Sequence, residues 1–200
     1  MEQFKCRASA AGTLMTNPKS KTDLIAKTVK TYLHEWVKEG IYGQKKEIET
    51  KYTNKGLMYE DMAIDKAIEW LDLPFAIKNT KRFTDEWFTG EPDLLLSDTV
   101  IDIKNSWDCW TFPLFENEIP TDSYFYQVQV YMHLTGLKKA AVVYVLLNTP
   151  ETFSTPEISY DNVDKKFRIK RYDFEFQPEV IEELKTRVIN ARNYINTLKN

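Results

Sequence analysis

Residues 90–104 place Asp93, Asp102 and Lys104 around two short apolar runs, Leu94-Leu95-Leu96 and Thr99-Val100-Ile101. Such β-prone runs on either side of the polar pair Ser97-Asp98 predict a β-hairpin. Alternation along the second strand sets Asp102 and Lys104 on one face and Ile101 and Ile103 on the other, toward a core. An acid and an amine then stand side by side on a rigid strand, with a second acid, Asp93, leading into the partner strand. Paired carboxylates suit a hard divalent cation such as Mg²⁺, which leaves its remaining positions to water and substrate phosphate. A cation held there lowers the pKa of a bound water and screens charge building on phosphorus, and a lysine beside it orients that water. The same residues equally suit a surface hairpin with an exposed ion pair, an arrangement that stabilises little.

The elements that must position these groups follow from hydrophobic period and punctuation. Leu24, Ile25, Val29, Leu33, Trp36 and Val37 form a helical stripe, capped at Ser20 or Thr22 and running to about Glu39, with Gly40 as its stop. A second helix follows Gly56, with Leu57, Ile64, Ala67, Ile68 and Leu71 on one face and Glu60 and Asp61 bordering it. Pro74 closes that region, and a strand over 84–88 leads into the hairpin. Trp107, Trp110, Phe112 and Phe115 dot the segment beyond Lys104; they either stack on a frayed base or pack a loop or an oligomer contact. Asp122 or Ser123 caps a helix that ends at Gly136, and Tyr124, Gln127, Val128, Tyr131 and Thr135 share one of its faces. The continuous apolar run 140–147 predicts a strand buried on both sides. Residues 167–176 predict another, with a phase slip at Lys170-Arg171 that suggests a bulge. Its basic residues Lys165, Lys166, Arg168, Lys170 and Arg171 suit either a nucleic-acid backbone or a solvated strand edge. Pro178 opens a last helix with Ile181, Leu184, Val188, Ile195 and Leu198 facing inward.

The totals exclude several classes. A chain of 200 residues with 42% apolar and 14% aromatic content predicts one folded domain over 1–200, with a helical N-terminal region over 1–55. Two cysteines, Cys6 and Cys109, supply neither a disulfide framework nor a zinc or iron–sulfur ligand set. No apolar run is long enough to span a bilayer and no targeting signal stands at the N-terminus, so a cytoplasmic protein is the expectation. The net charge of −3 is divided unevenly: residues 1–55 carry 11 Lys/Arg against 6 Asp/Glu, and residues 56–100 carry 4 against 10. The acidic segment contains the paired carboxylates, and the basic one is the better candidate for gripping phosphate.

Gly90-Glu91-Pro92-Asp93 followed by Asp102-Ile103-Lys104 resembles the signature of the PD-(D/E)XK nuclease superfamily, in its Asp-x-Lys form. Tyr124-x-x-Gln127-x-x-x-Tyr131 resembles the motif of its RecB-like branch, and the order helix, three strands, helix, strand is that of its core. The resemblance implies an α/β fold with a mixed central β-sheet flanked by helices. It implies a Mg²⁺-dependent deoxyribonuclease, with Mn²⁺ as a substitute. Asp93 and Asp102 would be its metal ligands, with Glu60 on the preceding helix and the Ile103 carbonyl. Lys104 would position or activate the attacking water, and Gln127 and Tyr131 would line the cleft. Within the superfamily the chain is similar to phage lambda exonuclease and its YqaJ-type relatives. There an N-terminal serine and a nearby arginine hold the DNA 5′-phosphate, a role for which Ser9 and Arg7 are the candidates; an N-cap is the alternative reading of Ser9. The activity implied is exonucleolytic attack on linear duplex ends in recombination or repair, in a bacterial or phage-infected cell. A ring-forming homo-oligomer and a single-strand annealing protein are the implied partners. A structure-specific or restriction-type endonuclease and a non-catalytic DNA-binding subunit remain as alternatives.

Overall fold

The computed structural model describes residues 2–20, 22–46, 51–151 and 156–198, the side chains of 51–57 excepted. The chain begins with a short strand β1 (Cys6–Arg7), a 3₁₀ turn (Ala8–Ala10) and α1 (Ala11–Leu14), followed by the longer α2 (Lys27–Tyr42) and α3 (Lys51–Trp70). Then come β2 (Phe83–Thr84), β3 (Phe88–Gly90), β4 (Leu94–Leu95) and β5 (Thr99–Asn105). After them α4 (Asp122–Thr135) crosses over to β6 (Lys139–Val145), and β7 (Ile169–Glu175) and α5 (Pro178–Leu198) complete the order.

Four strands form the central sheet in the order β4-β5-β6-β7. The pairs β4·β5 and β6·β7 are antiparallel, whereas β5 and β6 run parallel and need the α4 crossover between them. The sheet is therefore mixed, as expected. A separate three-stranded sheet, β1-β3-β2, joins the N-terminus to the segment just before the hairpin.

Both faces of the central sheet are covered, which is why β6 reads as an unbroken apolar run. On one face Ile101, Ala141, Val143 and Val145 pack with Ala63, Ile64 and Ala67 of α3. On the other, Val100, Val142 and Tyr144 join a larger core built from α2, α4, α5 and the N-terminal segment. Asp102 and Lys104 have the parity of Val100 and so belong to the α4 side; Ile103 and Asn105 belong to the α3 side.

Several sequence expectations shift. The first long helix begins after Ala26, runs through Gly40 and stops at Gly43, which takes the left-handed conformation (φ 63°) that a helix C-terminus favours in glycine. Leu24 lies before it and is exposed. The next helix begins at Lys51 rather than after Gly56, and the Leu57 side chain lies outside the described residues. The strand expected over 84–88 is instead two short strands around a tight turn, because Asp85 accepts the N–H groups of Trp87 and Phe88. No bulge interrupts β7: its register with β6 is continuous from Lys139↔Glu175 to Val145↔Ile169. Arg168 is buried, donating to the Leu146 carbonyl and stacking over Trp70, so it is not a backbone-tracking residue. Ala191 takes the inward place on α5, and Leu198 is largely exposed.

Candidate active site

The hairpin positions the acids through its own ladder. Asp93 lies just before β4, and its Oδ2 accepts the Ile103 N–H at 2.5 Å, so the side chain extends the pairing of β4 with β5. Asn79 fixes the same turn from outside: its N–H donates to the Asp93 carbonyl at 2.7 Å and its Nδ2 to the Pro92 carbonyl at 2.8 Å. Asp102 is buried in the middle of β5. Its Oδ1 accepts from Gln127 Nε2 at 2.9 Å, and its Oδ2 lies 2.6 Å from Lys104 Nζ.

Helix α4 supplies the opposite wall. Residues 127 and 131 are one turn apart, so Gln127 and Tyr131 stack on the face turned to β5. Gln127 Nε2 donates to Asp102 Oδ1 and to the Tyr131 hydroxyl, each at 2.9 Å, and its Oε1 lies 3.3 Å from Lys104 Nζ. That amide orientation is the only one the site allows, since the reverse would set a carbonyl against a carboxylate and an amine against an ammonium. The Tyr131 hydroxyl in turn donates a hydrogen bond to the Glu91 carbonyl at 3.3 Å, and Lys104 Nζ sits 4.4 Å from the centre of the Tyr124 ring.

The α4 helix can approach this closely because its neighbours are small. A Cβ on Gly90 would stand 2.7 Å from Tyr131 Cε1, and one on Gly12 would stand 2.4 Å from the backbone of Ser123. The run Ala8 to Gly12 thus serves as a slot for α4. Ser9 lies inside the 3₁₀ turn rather than at a helix cap, and both Ser9 and Arg7 are exposed. Neither lines the cleft.

The cleft encloses about 630 Å³ and brings together Glu60, Asp93, Asp102, Ile103, Lys104, Gln127 and Tyr131. Burial, followed by the negative charge of Asp102, pushes the Asp93 carboxyl up to about 7. Burial works against the Lys104 charge, but the Asp102 carboxylate outweighs it and holds the lysine above its ordinary pKa. Lys104 is thus an ammonium at neutral pH.

A partly buried acid and a buried one that repel each other are a donor set suited to a hard cation. Each has one oxygen fixed by an N–H, and the second Asp102 oxygen has no aligned hydrogen bond, only its ion pair with Lys104. The residues present therefore fit Mg²⁺ or Mn²⁺. Ile103 meets Asp93 through its N–H. Glu60 faces the cleft, but Lys78 Nζ holds its Oε1 at 2.6 Å and Asp61 Oδ1 at 2.8 Å. Among the described residues no three His, Cys, Asp or Glu side chains come together at metal-holding distance. Lys78 and Asn79 carry no signal in the sequence, since both contacts are tertiary and their partners lie 13 to 18 residues away. In the aromatic segment Trp107 and Phe112 are buried, whereas Trp110 and Phe115 are exposed.

No family model and no curated protein matches the chain. Solved structures do. A phage-related exonuclease from Haemophilus somnus 129PT is 28% identical, with a TM-score of 0.85 over 98% of this chain and 96% of its own. The alkaline exonuclease LHK-Exo from Laribacter hongkongensis is 20% identical, with a TM-score of 0.72 over 98% of this chain and 91% of its own. LHK-Exo in complex with dAMP gives the same score at 21% identity. The likeness in fold to these exonucleases thus spans 98% of the chain, the site residues Asp93, Asp102, Lys104 and Gln127 included.

Proposed function

We propose that this chain is a divalent-metal-dependent DNA exonuclease that hydrolyses phosphodiester bonds from duplex ends. The observation that carries the reading is the cleft that brings partly buried Asp93 and buried Asp102 together beside the Lys104 ammonium. When bound, Mg²⁺ would supply an activated water and charge screening at phosphorus. Asp93 and Asp102 would hold it, with Glu60 and the Ile103 carbonyl as further oxygens. Glu60 reaches that role only by leaving Lys78. Lys104, as an ammonium, orients the attacking water through its lone pair and balances charge on the phosphate rather than removing a proton. Gln127 keeps Asp102 and Lys104 in register, and Tyr131 locks Gln127. Ser9 and Arg7 remain the candidates for a terminal phosphate: both are exposed, Arg7 at the end of β1 and Ser9 on the following turn, which packs against α4.

The test compares 5′-phosphorylated linear duplex, 5′-hydroxyl linear duplex and closed circular plasmid, each with Mg²⁺ and with a chelator. The reading expects degradation of linear DNA only, dependent on Mg²⁺ and fastest with the 5′-phosphate. Nicking or linearising of the closed circle would instead make the chain an endonuclease on the same site.

A further inference from the structure

Asn105 lines the cleft and has no part in the chemistry above. It closes β5 directly after Lys104, and strand alternation turns it with Ile103 to the α3 side. Its neighbours there are apolar: Val145 is its partner across the parallel register, and Ala63 shares the cleft wall. Both polar atoms of its carboxamide are buried, and neither Nδ2 nor Oδ1 has a hydrogen-bond partner. A buried amide left in that state carries the full cost of its desolvation, which an apolar side chain of the same size would avoid. A group kept at such a cost beside a reactive cleft is matched to something that arrives from outside.

Two charged or amide donors nearby, Gln127 and Lys104, are engaged within the site, with one Lys104 N–H left for water or phosphate. Gln127 gives its N–H groups to Asp102 and Tyr131, and Lys104 is shared between Asp102 and Gln127. Glu60, Asp93 and Asp102 offer only acceptors when ionised, which repel a phosphodiester. The Asn105 amide adds a neutral donor that does not compete for the cation, on the α3 side of a cleft whose other walls carry the Tyr124 and Tyr144 hydroxyls.

We propose that Asn105 is a substrate-binding residue whose Nδ2 donates to a phosphate oxygen of the bound DNA strand, an assignment that rests on the nuclease reading of this cleft. The amide atoms are closed off from water in the free protein, so the contact forms as the side chain turns into the cleft. Binding of the strand then relieves a penalty that the free protein carries.

The test uses Asn105→Leu, which fills similar space without polar atoms, and Asn105→Ala, which introduces no bulk. Thermal unfolding is followed in the free proteins. Binding of a labelled 5′-phosphorylated duplex is followed by fluorescence anisotropy, with Ca²⁺ in place of Mg²⁺ to keep the strand intact. Asn105→Leu should raise the unfolding midpoint by about 2–4 °C, as the unmet amide is gone. Both variants should bind roughly tenfold more weakly, the loss of one hydrogen bond to a charged group. Unchanged affinity in the variants, beside a parent that binds, overturns the assignment and leaves the nuclease reading standing. A lowered midpoint for Asn105→Leu means that the amide has a partner within the fold, and overturns it too. A parent protein that binds no duplex removes the nuclease reading and this assignment together.

Discussion

Gln127 is the residue on which the geometry of the cleft depends, because one amide joins an acid, an ammonium and a phenol. Gln127→Ala leaves Asp102 Oδ1 without its donor inside a buried site, at a cost of about 1–3 kcal/mol in stability. Activity should fall by roughly 10- to 100-fold, the usual effect of removing a group that orients a metal ligand. Titration of activity against Mg²⁺, with unfolding measured alongside, checks both; unaltered metal dependence would reduce Gln127 to a core residue. Lys104→Ala should cost roughly a hundred- to thousandfold in turnover, as for other preorganised charges at a reacting centre, with little change in DNA binding. At this scale the sequence was informative wherever spacing alone brings groups together: residues 102 and 104 on a strand, 127 and 131 on a helix. It was silent where a partner comes from a distant segment, as with Lys78 on Glu60 and Asn79 on the Asp93 turn. Asn105 was hidden for another reason, since nothing in its type or position shows that its amide is buried without a partner.

Helix α4 and the small-residue run against it form the element that sets the width of the cleft. Gly12→Ala drives a methyl group into the backbone of Ser123, and backbone cannot swing aside as a side chain does. We expect a loss of about 1–3 kcal/mol in unfolding experiments, with activity reduced as α4 shifts. A neutral result would mean that α1 and α4 separate freely. The turn between β2 and β3 is a second such element. Burial raises the Asp85 pKa, but the N–H groups of Phe88 and Trp87 and then His133 outweigh it, leaving the carboxyl below its ordinary range. A depressed carboxylate contributes stability above its unfolded pKa and loses it as pH falls through the folded value. Asp85→Asn should therefore destabilise the protein at neutral pH, and the gap from the parent should narrow on acidification below about pH 4. A gap that is constant with pH would show that the charge does not matter. Long elements were legible because periodicity reports a covered face, as in α4 and β6. Short ones were not: β2 and β3 are held by a side-chain turn, and helix ends by left-handed Gly43 rather than by the first glycine met.

At the scale of the whole molecule, a mixed sheet with both faces covered leaves the C-terminal end of β5 as the place where α3, α4 and the hairpin can meet. The isolated chain also exposes Phe75, Ile77, Trp110 and Phe115 to water. The exonuclease proposed above would stay on a long polymer best by closing around it, so that proposal expects a cyclic homo-oligomer. Light scattering in solution should give a multiple of 23.6 kDa; a monomer that still attacks only ends would remove the ring and leave the chemistry. The most direct measurement for the central claim is cleavage of linear duplex by the parent, Asp93→Asn and Asp102→Asn across a Mg²⁺ titration, each protein first shown to be folded. The proposed metal-dependent mechanism predicts a parent that is inert without metal and active with it, and two variants inactive at every Mg²⁺ concentration. Cleavage by either folded variant at the parent's rate, or cleavage by the parent in chelator, would contradict it.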